Sequence, residues 1–297
     1  MRLPLAEMSV LAVTFAWGLS FVVIPHALED AGTFTLTALR MAVGAVAGLV
    51  LLRPDLRGTD RRTWLHGIGG GLCLTGGYLL QTAGLRTAGS GDGAFLTAFY
   101  VTLVPILDAV VHRRIPAAKD LIAVALATVG IGLIVVEPGA HVLLGTGELL
   151  IVLSAFFWAG QIVVVGRVAA SADPAALAVI QVGVTAVVAA ACVPFSGEGA
   201  PDWSRGLFPS VFFLGYVTCA LAFAVQGWAQ QKLAPTRMAV LFAPEPVFAA
   251  FAGWWFRDER FGAREFSGAA LVTVAVLLVL VTPERRSTRG SGVPSAA

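Results

Sequence analysis

Ten apolar stretches of about twenty residues follow one another along the chain, separated by short polar links. A helix of about 20 residues crosses a hydrocarbon core of roughly 30 Å, so each stretch predicts one transmembrane helix. We number the stretches as spans 1 to 10, and they cover residues 5–26, 33–52, 64–85, 91–112, 118–136, 147–168, 175–194, 208–229, 237–256 and 263–281. The pattern predicts an all-α integral membrane protein with ten transmembrane helices.

The composition supports this interpretation. Hydrophobic residues make up 57% of the 297 residues and charged residues 13%, with a mean hydropathy of +0.83. A soluble domain is roughly 45–50% apolar and 25% charged. The net charge of +2 indicates no nucleic-acid partner. Span 1 has full membrane length and lacks a small-residue cleavage site, so we interpret it as a retained helix.

Span 9 is the most unusual stretch, because Pro244, Glu245 and Pro246 lie at its centre. A proline lacks the backbone donor and clashes with the carbonyl four residues earlier, so this pair predicts a broken helix at membrane depth. Span 4 carries Pro105 and is expected to bend as well. Lipid does not solvate freed backbone groups, so both sites are expected to face protein or a wet cavity and to act in gating.

Lys and Arg are distributed unevenly between alternate links. One side carries fourteen of them, namely Arg2, Arg53, Arg57, Arg61, Arg62, Arg113, Arg114, Lys119, Arg167, Lys232, Arg237, Arg285, Arg286 and Arg289. The other side carries five, namely Arg86, Arg205, Arg257, Arg260 and Arg264. The positive-inside rule therefore predicts a protein of the cell (inner) membrane with both termini in the cytoplasm.

The two halves of the chain match when the sequence is shifted along itself. A shift of 141 aligns identical residues of spans 1 and 6, namely Glu7 with Glu148, Phe15 with Phe156 and Trp17 with Trp158. A shift of 146 aligns later residues, namely Gly69 with Gly215 and Ala88 with Ala234. Equivalent helices are five crossings apart, so the second copy runs in the opposite sense. We expect inverted five-helix repeats over 1–140 and 141–283, and a disordered cytoplasmic tail over 284–297.

Four stretches resemble a known family, namely FAWGLSFVVIP in span 1, LTALRMAVGA in span 2, LLQTAGLRTAGSGDGAFLTAFYVTLVPIL across spans 3 and 4, and QQKLAPTRMAVLFAPEPVFAAFAGWWFRDERF across spans 8 to 10. Together and in this order they resemble the EamA type of the drug/metabolite transporter superfamily. The resemblance implies ten helices in two inverted five-helix repeats, with helices 5 and 10 peripheral. It also implies a carrier that usually exports amino acids, related metabolites or toxic compounds.

Arg40 lies seven residues into span 2, about 10 Å deep at a rise of 1.5 Å per residue. An arginine at this depth must be paired or hydrated. Its planar fork is suited to binding a substrate carboxylate with two hydrogen bonds. The alternative is a structural arginine that holds backbone carbonyls at a helix junction.

Glu245 is the one acid placed well inside a span beside a predicted break. A carboxylate at this depth can carry a proton during transport, which would couple export to a proton gradient. The alternative is that it binds the backbone groups freed by its neighbouring prolines. The chain has no ATP-binding motif, so the coupling choices are an ion gradient, exchange or downhill flow.

Further polar and aromatic residues fall within the spans. Trp17 and Trp158 lie near the midplane, where a tryptophan is not explained by the interfacial belt, so they either line the substrate cavity or pack helices 1 and 6. Buried amides and phenols need partners, so Tyr78, Gln81, Tyr100 and Gln226 either form hydrogen bonds across helices or face water and the substrate, and we select them as candidate substrate-binding residues. In the repeat Gln181 aligns with Arg40, which predicts an asymmetric site.

These features favour a secondary transporter of small organic solutes that works by alternating access. A phosphate-ester or nucleotide-sugar exchanger would need several cations in the cavity, and Arg40 alone is a firm candidate. An enzyme would need a nucleophile with a base or a metal cluster at one depth, and a scaffold would not need a broken helix. No metal-ligand spacing is evident among the cysteines and histidines, and no cofactor is expected.

Overall fold

The computed structural model describes residues 5–88, 90–113, 115–135, 145–257 and 262–281. Every regular element in these ranges is helical. The α-helices are α1 (Leu5–Asp30), α2 (Thr33–Ala47), α3 (Arg61–Gly84), α4 (Ser90–Ala98), α5 (Tyr100–His112), α6 (Ala118–Val135), α7 (Thr146–Gly166), α8 (Pro174–Cys192), α9 (Leu207–Phe212), α10 (Ala222–Gln230), α11 (Pro235–Phe242), α12 (Glu245–Arg257) and α13 (Ala263–Val281). The tail predicted over 284–297 lies outside the described residues.

These helices fall on the ten predicted spans and confirm the all-α membrane fold. Spans 4 and 9 each consist of two helices, and span 8 consists of α9 and α10 joined by a π-helical segment, Phe213–Leu221. Seven of the described segments can cross a membrane by length and composition alone, namely residues 5–30, 33–52, 93–111, 146–166, 174–195, 207–230 and 263–281. Span 9 does not qualify because its break leaves two short helices.

The core is built by helices of one half packing against helices of the other. The main neighbours of α3 are α7 and α8, and α2 packs on α8 and on the π-helical segment. The main partner of α13 is α6. The cavity described below therefore has walls from both halves of the chain.

Glycines allow these helices to approach closely. A methyl group added to Gly44 would lie 2.8 Å from the carbonyl oxygen of Gly215, and one added to Gly215 would lie 2.6 Å from that of Arg40. Small residues at crossings are typical of helices packed within a membrane. Another close crossing joins α8 to α3, where Thr185 donates a 3.1 Å hydrogen bond to the carbonyl of Gly71.

The predicted break in span 9 lies at Ala243 and Pro244, between α11 and α12. Pro246 occupies the first turn of α12, where a missing N–H leaves no carbonyl unpaired. The hydroxyl of Thr14 in α1 lies 3.1 Å from the carbonyl oxygen of Leu241, which the break frees from its helical partner. The protein thus supplies the polar contact that lipid cannot provide.

Span 4 is broken at Phe99, where α4 ends and α5 begins, and Pro105 lies inside α5. In the repeat, Phe99 aligns with Glu245, and the break residues Ala243 and Pro244 align with Thr97 and Ala98. The two spans are therefore interrupted within two residues of equivalent positions.

A carboxylate from the second half of the chain caps a helix of the first half. The N-cap residue of α2 is Gly32, which has no side chain to accept the first amide hydrogens. Glu198 accepts these bonds instead, from the N–H groups of Phe34 and Thr35 at 2.9 Å each. Partial burial alone would raise the pKa of Glu198, but these hydrogen bonds outweigh it and hold the pKa below its usual range.

We expect Glu198→Gln to lower the melting temperature in detergent at pH 7 by roughly 2–4 °C, from a cap worth about 1 kcal/mol at a partly exposed site. The depressed pKa makes this stabilisation present above the unfolded pKa of about 4.3 and lost as the pH falls through the folded pKa. The two proteins should therefore melt alike once the pH lies below the folded pKa of Glu198. The matched control is Glu29→Gln, at an exposed glutamate on α1. A difference that persists in acid would contradict the capping role.

Candidate functional site

A cavity lies between the two halves, next to both helix breaks. It offers the centres of water-sized molecules about 30 Å³, which is room for roughly two waters, so a larger solute requires its walls to move apart. Its walls come from α1, α2, α3, α4, α5, α7, α10, α11, α12 and the π-helical segment. The charged and amide side chains around it are buried.

The cavity brings together the seven residues predicted to bind substrate and the predicted coupling acid, namely Trp17, Arg40, Tyr78, Gln81, Tyr100, Trp158, Gln226 and Glu245. Pro105, Pro244 and Pro246 are not among the described lining residues. The sequence did not single out several others that line it, namely Ser20, Phe21, Thr97, Ile162, Thr218, Phe223 and Phe242. Threonines and phenylalanines are ordinary in membrane helices, so no sequence signal marks them.

Arg40 is 1% exposed and lies against the cavity. Its Nη2 donates to the hydroxyl of Thr82 at 3.0 Å, and its guanidinium lies 4.2 Å from the ring centre of Tyr78. Its Nε has no hydrogen-bond partner within the described residues. These contacts join α2 to α3, and none of them involves a backbone carbonyl.

Glu245 is 6% exposed and begins α12 at the break. Its Oε2 accepts a 3.1 Å hydrogen bond from the hydroxyl of Tyr100. Gly18 of α1 packs directly behind it, because a methyl group there would lie 2.9 Å from the carbonyl oxygen of Glu245. Within the described residues no ion pair joins Glu245 to Arg40. A guanidinium group and a carboxyl group therefore line one cavity without contacting each other.

Aromatic rings form a continuous wall between the halves. Trp17 packs on Phe223 with ring centres 5.7 Å apart, and Trp158 packs on Tyr78 at 4.7 Å. Tyr78 and Phe223 meet at 6.3 Å, which joins the two pairs. Each tryptophan thus packs on a helix of the opposite half. The indole N–H of Trp17 donates to the carbonyl of Thr218, whereas that of Trp158 has no partner within the described part of the chain.

Four buried glutamines form a hydrogen-bonded network on another side of the cavity. Gln226 donates to Gln161 at 2.9 Å and to Gln230 at 3.1 Å. Gln161 in turn donates to Gln181 at 2.8 Å. The network therefore joins α7, α8 and α10. In the repeat, the neutral Gln181 takes the place of Arg40, and the two make different contacts.

Buried charged residues meet beyond the cavity, at the end of the helices where the links carry most of the Lys and Arg. Arg237 was counted among the flanking cations, but the structure buries its side chain in the first turn of α11 at 1% exposure. Its Nε lies 3.4 Å from a carboxylate oxygen of Asp120 in α6. The hydroxyl of Thr236 donates to Asp108 in α5 at 3.4 Å. These contacts hold α11 against α5 and α6.

Comparisons with known proteins agree with this architecture. The sequence model of the EamA-like transporter family matches the chain twice, over residues 4–136 and 145–281. A protein of Archaeoglobus fulgidus described as an uncharacterized transporter is 24% identical over 274 residues, which are 92% of this chain and 85% of that protein. A crystal structure of another protein shares the fold, with a TM-score of 0.76 at 17% identity over 94% of this chain and 98% of that one.

The two family matches divide the chain where the sequence repeat does, between spans 5 and 6. Together they cover most of the residues, and the helices are those of a multi-pass membrane protein. The cavity provides a place where a small molecule can bind between the halves. This protein therefore belongs to the EamA-like transporter family and is a membrane transporter.

Proposed function

We propose that the protein is a secondary exporter of small zwitterionic organic solutes, such as amino acids and related metabolites. One observation carries this proposal: Arg40 and Glu245 line the same cavity, and no ion pair joins them within the described residues. Their partners are uncharged, namely Thr82 and Tyr78 for Arg40 and Tyr100 for Glu245. A solute that carries both a carboxylate and an ammonium group can therefore form a charge-assisted hydrogen bond with each. Export follows the usual activity that the family resemblance implies.

The same contacts disfavour the alternative cargo. A phosphate ester or nucleotide sugar carries more negative charge than one arginine neutralises, and Arg40 is the single cation among the described lining residues. Glu245 would repel such an anion. The aromatic wall supports apolar portions of a solute and accepts an ammonium group on a ring face.

Alternating access is the transport mechanism that fits these features. The two broken spans meet where Tyr100 binds Glu245, so a solute that binds Glu245 competes with a contact between the halves. The contact between Arg237 and Asp120 lies on α11, whereas the contact between Glu245 and Tyr100 lies on α12. The break in span 9 therefore separates these two contacts. The breaks at Phe99 and Pro244 are the hinges of this proposal, and the repeats 1–140 and 141–283 are its moving halves.

We propose that the protein lies in the inner membrane of the cell and that both of its termini are in the cytoplasm. The fourteen-to-five division of Lys and Arg supports this orientation. Reporter fusions at Gly58 and Ser171 should be active in the cytoplasm only, and a fusion at Gly197 should be active outside only. One reversed reporter would overturn the orientation.

Counterflow in proteoliposomes tests the transport proposal. Vesicles preloaded with an unlabelled amino acid should take up the labelled compound faster than empty vesicles, because a returning carrier is already occupied. Arg40→Lys should raise the half-saturation concentration roughly tenfold or more, since the charge remains but the two-bond fork does not.

The matched control is Arg57→Lys, at an exposed arginine in the link after span 2, which should behave as wild type. A folded Arg40→Lys protein with unchanged half-saturation would contradict the role of Arg40. Flux that does not respond to preloading would contradict alternating access. A complete lack of amino-acid flux would remove the zwitterion from the proposal.

Glu245 is proposed to carry the proton that couples export to a gradient. Its carboxylate is buried at the break, within reach of the cavity and bound to Tyr100 across the two halves. Glu245→Gln keeps the shape and the contact with Tyr100 but carries no exchangeable proton. We expect wild-type uptake to rise several-fold with an imposed pH difference and the variant to ignore it, as measured by flux with and without the gradient.

Glu29→Gln, on the exposed face of α1, should retain the response of the wild type. A variant at Glu245 that still follows the gradient would place the proton on another group. A wild type indifferent to the gradient would make the protein a facilitator or exchanger.

A further inference from the structure

The glutamine network has a fixed direction because each of its ends is a backbone carbonyl. Gln181 donates to the carbonyl of Leu177 at 3.1 Å, and Gln230 donates to that of Ile162 at 2.7 Å. A carbonyl only accepts, so these two side chains must present their NH₂ groups to the backbone and their oxygens to the network. These two backbone carbonyls therefore fix the orientation of the amide groups in the network.

The two branches meet on the NH₂ group of Gln226. Because Gln181 presents its oxygen, Gln161 must donate to it and must offer its own oxygen to Gln226. The oxygen of Gln230 also needs a donor, and Gln226 supplies it. Both hydrogens of Gln226 Nε2 are thereby used. Rotating this amide would set its oxygen against two other oxygens, so its orientation is fixed.

The fixed orientation of the Gln226 amide determines which groups its oxygen can bind. The side chain is 2% exposed and lines the cavity, and its Oε1 has no donor within the described residues. An unpaired buried acceptor is unfavourable, because it has lost its hydrogen bonds to water without gaining one within the protein. The indole N–H of Trp158, one helical turn from Gln161 on α7, is a second unpartnered group of the same cavity, and it is a donor.

We propose that Gln226 is a specificity-determining residue, whose Oε1 accepts a hydrogen bond from a neutral donor on the solute's side group, a hydroxyl or a primary amide. This inference rests on the proposed function, because Arg40 and Glu245 bind the zwitterionic head. Hydroxyl and amide groups also contain an acceptor, which matches the N–H of Trp158. A carboxylate side group offers no donor and is repelled by the oxygen of Gln226.

Binding of matched amino acids to the full-length protein in nanodiscs tests the proposal. Threonine and valine differ by a hydroxyl in place of a methyl group, and asparagine and leucine differ by an amide in place of a branched alkyl end. Wild type should bind the polar member of each pair about tenfold to a hundredfold more tightly, since the apolar member leaves the acceptor unpaired. Gln226→Met should reduce both ratios to near one.

The control is Gln231→Met, at the residue after α10, whose amide binds the carbonyl of Ala172 away from the cavity. It should keep the ratios of the wild type. A purely structural role for Gln226 predicts weaker binding of all four compounds with unchanged ratios, and that result would overturn the proposal.

The wild type decides the matter even if Gln226→Met does not fold. Equal affinities of the wild type for the two members of each pair would overturn the inference and leave the proposed function standing. If none of the four compounds binds, both the proposed function and this inference fail. Preference for the polar members, lost in Gln226→Met and kept in Gln231→Met, supports the inference.

Discussion

A membrane interior provides no solvent for a freed backbone group, and the organisation of this protein follows from that constraint. Two spans are interrupted within two residues of equivalent positions of the repeat, and other helices supply what the interruptions need. Thr14 contacts the freed carbonyl of Leu241, and Gly18 lets α1 approach the start of α12. Tyr100 and Glu245 then join the two interruptions to each other. The cavity lies beside this junction, where polar groups find hydrogen-bond partners within the protein.

The contact between the two breaks is also what an inverted repeat predicts. Phe99 aligns with Glu245, and the next residue, Tyr100, is the one that binds Glu245. Residues that meet their own repeat equivalents lie near the axis that relates the halves. The crossed packing of Trp17 and Trp158 onto the opposite half has the same origin. We therefore expect that axis to pass through the cavity.

Equivalent helices of the two repeats line the cavity, but the polar side chains on these helices differ between the repeats. Arg40 and Gln181 occupy equivalent positions, yet one faces the cavity with a charge and the other directs a chain of neutral amides. The N–H of Trp17 donates to a carbonyl, whereas that of Trp158 has no acceptor among the residues that the structure describes. Duplication supplies two walls of similar shape, and the differences between the copies decide what each wall recognises.

The sequence predicts the spans, the break in span 9 and the conspicuous polar and tryptophan residues of the cavity, because each depends on a local signal. Prolines mark a break, and Arg40 or Gln226 is conspicuous among apolar neighbours. The break at Phe99 and the phenylalanines and threonines of the cavity carry no such signal. The burial of Arg237 depends on Asp120 in a different helix, and the direction of the glutamine network depends on two distant carbonyls. Neither can be inferred from spacing along one helix.

The cap that Glu198 provides to α2 makes one half of the chain depend on the other. The equivalent helix of the second half, α8, has its own cap in Asp173, whereas α2 begins after Gly32 and takes its cap from a loop of the other half. Two identical subunits could not divide the caps in this way, because each would carry the same residues. The start of α2 is therefore completed only when the loop that carries Glu198 has docked against it, and the first half by itself lacks this acceptor for its amide hydrogens.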